Sequence, residues 1–199
     1  ISINEQLEEI IYTLAKKDPS YVVREEAINA IGALNKEKYK NDFVNWSKDS
    51  SYTIAGAALE ALDAIDSVTA YQLAQAASKA PIKKRLNTVV TKLLTKYGDE
   101  SEFDFIANKY ESLNNQSEEK FQMTQPFAAL LMKTKDADKF KRGIDIIVAF
   151  RESIPGQYRT QTDPYFNGKV LGEILKAKKQ KGENELVKLV SAALPVLIK

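Results

Sequence analysis

The sequence predicts an all-α fold, a solenoid of antiparallel helix hairpins with about eleven helices. Three observations predict it. Apolar residues recur at helical spacing along almost the whole chain, while sustained two-residue alternation and Asn-Gly or Asp-Gly hairpin turns are missing. The phrase "DPSYVVREEAINAIGAL", starting at Asp18, returns 31 residues later as "DSSYTIAGAALEALDAI", starting at Asp49. Helix start and stop residues punctuate the chain at short intervals. A helix of this length is marginal alone, and one hairpin cannot hide its apolar stripe, so a repeated hairpin calls for stacking.

Each helix has its own justification. Over 4–16, Leu7, Ile10, Ile11 and Leu14 share one face. Over 19–34 the inner face reads Val23, Ala27, Ile28, Ile31 and Leu34. Asp18 stands at the N-cap of that helix and Pro19 at its first position, where a missing N–H costs nothing. Over 36–47, Tyr39, Phe43 and Trp46 form an aromatic stripe expected in the core. The repeat copy, 51–65, sets Ile54, Ala58, Leu59, Ala61 and Leu62 at the matching places. Its small run Ala55, Gly56, Ala57, Ala58 is expected to let neighbouring helices approach closely. Helices over 67–79 and 81–97 follow, the second keeping only Val89, Val90 and Leu93 of the pattern. Further helices are expected over 100–113, 119–134, 137–152, 164–181 and 184–198. Pro81, Pro126 and the pair Asp163-Pro164 are expected to open helices, and Gly98 and Gly182 to close them. The one long loop is the polar "SIPGQYRTQTDPYF". No linker divides the chain, so 1–199 reads as a single domain.

Composition excludes several functions. Apolar residues make up 44% and charged residues 28%, and 29 basic against 27 acidic residues leave a net charge of +2. That balance demands no polyanion. Residues 1–66 are acidic, with 12 acidic and 7 basic groups, so the remainder is basic. Lys79 to Tyr97 holds six basic residues and no acid, without interleaved aromatics, which reads as a solvated helix face and not as a nucleic-acid surface. The chain has no cysteine and no histidine. Disulfides, thiolate chemistry, Ser-His-Asp triads, His-containing zinc sites and the commonest neutral-pH general base are thereby excluded. No apolar run approaches the ~20 residues that span a bilayer, so membrane insertion is not expected. The compartment is left open. The opening "ISINEQLEE" has neither Met nor the basic and apolar regions of a signal peptide, and reads as cut from a longer chain.

Two clusters invite a ligand and are read as structural. "GDESEFD" gathers Asp99, Glu100, Glu102 and Asp104 but lacks the ligand spacing of a calcium loop; acids at a helix start favour the free N–H groups there. "NGK" at Asn167–Lys169 lacks the preceding glycine and following Ser/Thr of a phosphate loop. Gly168 and Gly172 are instead expected to make a tight helix contact.

The stretch Asp18-Pro19-Ser20-Tyr21-Val22-Val23-Arg24-Glu25-Glu26-Ala27-Ile28 resembles the second helix of a HEAT repeat, with its Asp cap, Val-Arg, Ala and aliphatic. The resemblance implies Asp–Arg bridges along the stack. Ala55 replaces the arginine in the second copy, which interrupts such a ladder and leaves Arg24 to a neighbouring loop. Over its whole length the chain resembles the C-terminal helical domain of a gluzincin zinc aminopeptidase, in the alanyl-aminopeptidase and leukotriene-hydrolase superfamily. That likeness rests on the opening helix, the diverging hairpins and the closing "PGQYRTQTDPYFNGKVLGEILKAKKQKGENELVKLV". It implies a non-catalytic domain that packs on the N-terminal and catalytic domains of the same chain and roofs the peptide-substrate cavity. It places no cofactor in these residues; zinc is implied for the catalytic domain of the parent chain, with its HExxH and GxMEN motifs. Some members hold the substrate's carboxylate end with a basic residue of this domain. Arg159, with Tyr158 beside it, is the candidate here, set against a surface arginine satisfied by water or Asp163. A free-standing scaffold binding a protein or peptide is the alternative.

Overall fold

The computed structural model of the protein describes residues 3–34 and 37–198, side chains at 3 and 195–198 excepted. Among them there is no strand. The chain is an all-α solenoid of HEAT-like antiparallel hairpins, and it clusters into two compact units, Ile1–Leu94 and Thr95–Lys199.

The first unit is three hairpins: α1 (Ile3–Lys17) with α2 (Tyr21–Ala33), α3 (Lys40–Trp46) with α4 (Tyr52–Ile65), and α5 (Ser67–Ala77) with α6 (Lys84–Tyr97), whose last turn crosses the unit boundary. A 3-10 turn, Glu37–Tyr39, leads into α3. The helices nest closely because small residues stand at the crossings. A Cβ on Gly32 would lie 2.7 Å from that of Ala61, and one on Gly56 would lie 2.8 Å from Cγ of Arg85. Ala27, Ala55, Ala57, Ala58, Ala70 and Ala74 are buried alongside Ile28, Ile31, Ile54, Leu59 and Leu62. Tyr39, Phe43 and Trp46 are buried as their spacing predicts.

Two expectations about this unit are corrected. The N-cap of α2 is Ser20, whose hydroxyl accepts from Val23 N–H, while Asp18 accepts from Ser20 N–H at 2.8 Å and Pro19 precedes the helix. Asp49 repeats that turn by accepting from Ser51 N–H at 2.8 Å. The stripes expected in the core are also partly outside. Leu7, Ile10 and Leu14 of α1, and Val23 and Leu34 at the two ends of α2, are exposed. The reasons differ: α1 packs through Ala15 and Tyr12, which turns the Leu7–Ile10–Leu14 face outward, whereas Val23 and Leu34 share the Ala27 side of α2 but lie near its ends, outside the buried stretch Ala27, Ile28, Ile31 and Gly32.

The second unit holds a 3-10 turn (Glu100–Glu102), α7 (Phe103–Ser112), α8 (Glu118–Lys133), α9 (Ala137–Ser153), α10 (Gly156–Pro164), a π-helical segment (Tyr165–Gly172), α11 (Glu173–Gln180) and α12 (Asn184–Ile198). Its core is a chain of rings: Phe103 and Tyr110 meet Phe127, Tyr110 and Phe166 meet Phe150, all at centroid distances of 5.0–6.1 Å. Gly143 admits Leu131, whose Cδ2 would lie 2.3 Å from a Cβ there.

The expected loop before residue 164 is helical. α10, the π segment and α11 run without a break from Gly156, with Pro164 inside. Asp163, expected as a cap, lies inside this helix with its carboxylate held by Arg151. Pro126 likewise lies inside α8, and Pro81 precedes α6 by three residues. Gly168 has nothing near it; Gly172 fits its own helix, where a Cβ would lie 2.6 Å from the Asn167 carbonyl oxygen five residues back, the crowding peculiar to a π turn. Gly182 closes α11 with φ +68°, the left-handed conformation glycine adopts cheaply.

Candidate functional site

The second helices of the three hairpins carry a polar ladder that the repeat builds. Asn29 of α2 and Glu60 of α4 are equivalent positions 31 residues apart. Arg85, at the start of α6, reaches both. Its Nη1 donates to Glu25 Oε1 at 2.5 Å, and its Nη2 to Asn29 Oδ1 and Glu60 Oε2, each at 2.9 Å. Lys92, two turns on, donates to the other oxygen of Glu60 at 2.9 Å. Burial works against the charges, but Glu25 and Glu60 still hold the Arg85 guanidinium above its ordinary range. Burial likewise opposes ionisation of Glu60, and Lys92 and Arg85 outweigh it, leaving the carboxyl below its ordinary value. Gly56 is what lets Arg85 sit against α4. The basic stretch is therefore only partly a free solvated face: Arg85 and Lys92 are structural cations of this ladder.

The Asp–Arg bridge forms once. Arg24 Nη2 donates to Asp49 Oδ2 at 3.1 Å, and its Nε donates to the Ala15 carbonyl at 3.0 Å. It thus ties α1, α2 and the turn before α4. Position 55, the equivalent of 24, is a buried alanine and makes no second rung.

On the first helices lies an acidic groove of about 510 Å³ lined by Glu5, Glu8, Glu9, Tyr12, Lys38, Tyr39 and Asp42. The Tyr12 and Tyr39 rings stack with centroids 5.4 Å apart. Tyr12 donates to Asp42 at 3.0 Å and Tyr39 to Glu8 at 2.5 Å. Burial, then those carboxylates, raises both phenol pKa values.

In the second unit the sequence candidates separate. Tyr158 is half-exposed on α10. Arg159 turns back onto the end of α9: Nε donates to the Ile154 carbonyl at 3.0 Å, Nη2 to the Glu152 carbonyl at 2.7 Å, and Nη1 pairs with the Glu152 carboxylate at 3.2 Å. Asp163 does not serve it. That carboxylate takes a two-point grip from Arg151, Nε and Nη2 each at 2.7 Å, with Arg151 itself buried. Arg159 therefore satisfies orphan carbonyls at a helix C-terminus.

Two buried lysines carry no sequence signal. Lys120 donates to the Leu113 carbonyl at 3.2 Å and to Asn115 Oδ1 at 2.6 Å, against the rings of Tyr110 and Phe150. Lys178 is fully buried, pairs with Glu183 at 2.7 Å and donates to the Thr134 carbonyl. Burial lowers both pKa values; for Lys178 it outweighs Glu183. Nothing in "KAKKQKG" marks Lys178 apart from its neighbours.

Of the acids of "GDESEFD", Asp99 and Glu100 act as caps, while Asp104 accepts from Arg142 at 3.2 Å. Asp99 accepts from Ser101 N–H at 2.8 Å, and Glu100 accepts from the N–H groups of Lys135 and Asp136 at 2.5 and 2.9 Å, ahead of α9. Among the described residues no three His, Cys, Asp or Glu gather as a metal site, and no helix is long and apolar enough to cross a membrane.

The class these features define is a helical repeat scaffold, with charged rungs fixed between successive hairpins. Residues 8–95 match the family model for HEAT repeats, so over that stretch the array is HEAT-like in sequence as well as in form. No curated protein and no solved structure matches the chain.

Proposed function

We propose that the chain is a non-catalytic scaffold domain of a zinc aminopeptidase of the gluzincin type, packed on the catalytic domain and helping to roof its peptide cavity. The observation that carries the scaffold part is the HEAT-like array itself, with Arg24–Asp49 and the Arg85 ladder fixing one hairpin against the next. The aminopeptidase part is supported by the likeness of Asp18–Ile28 and of residues 155–190 to that domain. A chain without histidine or cysteine contains no HExxH helix, so the parent's zinc and its chemistry come from other residues. In this reading Tyr158 is the exposed ring nearest a substrate, and Arg159 positions the α9–α10 corner that presents it.

The test is the coding sequence upstream of the Ile1 codon. An open frame that continues into GxMEN and HExxH motifs supports the aminopeptidase; a start codon directly upstream overturns it. The second reading, a free-standing scaffold for a protein or peptide, is favoured by the polar ladder, whose carboxylates and cations can exchange partners with a bound chain. Charge reversal of Lys92 would then weaken partner binding without loss of helix content.

A further inference from the structure

A pocket of about 440 Å³ opens in the second unit, between the start of α8, the turn before it and one face of α9, and a buried amine lines it. That volume suits a ligand of one small ring. Ile146 and Phe150 of α9, both buried, and the exposed Ala149 form an apolar wall. Lys120 of α8 lines the same space and is only 5% exposed.

The surroundings of this nitrogen are those of a nucleophile. It donates to the Leu113 carbonyl at 3.2 Å and to Asn115 Oδ1 at 2.6 Å, and the Tyr110 and Phe150 ring centroids lie 5.2 and 5.4 Å from it. Both acceptors are uncharged. The carboxylates that line the pocket are held by other cations: Glu111 accepts from Arg142 at 2.6 Å and Asp145 from Lys141 at 2.7 Å. Burial disfavours the ammonium form and outweighs the attraction of Glu111, so more of this amine is unprotonated at neutral pH than of an exposed lysine. An unprotonated amine has two hydrogens and one lone pair. Leu113 and Asn115 take the two hydrogens, which leaves the lone pair for a bond to carbon. Lys178, the second buried lysine, differs: it is fully buried and pairs with Glu183 at 2.7 Å.

We propose that Lys120 is a covalent capture site for small aldehydes with an aromatic or apolar body, which it holds as an imine. The amine nitrogen adds to the carbonyl carbon, and the π pair of the C=O bond moves to oxygen. The nitrogen lone pair then closes the C=N bond as the oxygen leaves with both amine hydrogens as water, so no oxidant or reductant is consumed. The body of the ligand rests on Ile146, Ala149 and Phe150. With Glu111 and Asp145 each paired to a cation, the rim favours an uncharged ligand over a charged one. The site stands apart from the aminopeptidase reading and does not depend on it.

Benzaldehyde with sodium cyanoborohydride at neutral pH tests this, because hydride converts the imine to a stable benzylamine that peptide mass spectrometry locates. The expected result is a benzyl group at Lys120, formed about tenfold faster than at any other lysine. Lys120→Met is expected to abolish that fast step and leave only slow labelling of surface lysines. Ala149→Phe, at an exposed wall position, keeps the amine but fills the pocket, and is expected to slow labelling of Lys120 about tenfold with unchanged circular dichroism. Labelling spread evenly over the lysines overturns the proposal. So does a fast step that survives Lys120→Met, or labelling of Lys120 that Ala149→Phe leaves as fast.

Discussion

The two units solve the same burial problem with different side chains. In Ile1–Leu94 the crossings of the second helices close on alanine and glycine, as at Gly32 on Ala61 and Gly56 against Arg85, and the rings of Tyr12, Tyr39, Phe43 and Trp46 gather on the α1 and α3 side. In Thr95–Lys199 the helices stand around phenylalanine and tyrosine rings, and three cations, Lys120, Arg151 and Lys178, lie inside. A small-residue core is regular, because one crossing geometry can be copied at each repeat. An aromatic core is filled by shape, and each site differs from the next. Repetition therefore survives in the first unit and fades in the second, and the first is the one that matches HEAT repeats.

The comparison can be broken from either side. The first unit is expected to fail by addition and the second by removal. Phe127→Ala deletes a fully buried ring touching Phe103 and Tyr110, and is expected to cost about 4 kcal/mol in urea unfolding followed by circular dichroism. Arg151→Ala strands the Asp163 carboxylate beside a helix and is expected to cost about 3 kcal/mol, with Arg151→Met/Asp163→Leu recovering most of it. Ala58→Leu overfills the first unit and is expected to cost about 2 kcal/mol. Trp46, the single tryptophan, lies in that unit and reports the change by fluorescence. If Ala58→Leu proves neutral, close packing is not what limits the first unit.

Smaller effects sharpen the contrast in charge. Arg24→Ala removes a largely covered bridge and is expected to cost about 1 kcal/mol, read by the same fluorescence. For Lys120 the sign follows from its lowered pKa. Between that folded value and the ordinary 10.5, the unfolded chain binds more protons, so stability rises with pH through that window. Lys120→Met is expected to flatten that rise while changing neutral-pH stability by less than about 1 kcal/mol. Above pH 10 the raised phenol of Tyr110, buried against Phe127, works the other way, because the unfolded tyrosine ionises first. A stability curve that stays flat on the approach to the ordinary lysine value of 10.5 would mean that Lys120 is not desolvated.

Much of the fold was legible from particular residues. Helical spacing locates α1 to α9 and α12, and the paired Asp-x-Ser-Tyr turns mark α2 and α4 as stacked helices. Gly182 announced the end of α11. Proline is misleading here, because Pro126 and Pro164 look locally like helix starts. Inside a long helix a missing N–H is affordable when packing or a π turn absorbs it, and only neighbouring helices settle that. The candidate site was less legible. Arg159 stands out in sequence as a loop arginine, but its partners follow from Arg151 holding Asp163. Arg85, Lys120 and Lys178 look in sequence like any other surface cation.

The sequence by itself determined the helical class, the period of the stack and the chemistries the chain cannot perform, because periodicity, cap residues and missing side chains are local properties. Only the tertiary structure decided which face of α1 and α2 turns inward, which carboxylate each arginine holds and which lysines lose their water. Those depend on the rotation of one helix against another, and a rotation of 100°, one residue's worth, exchanges the core for the surface.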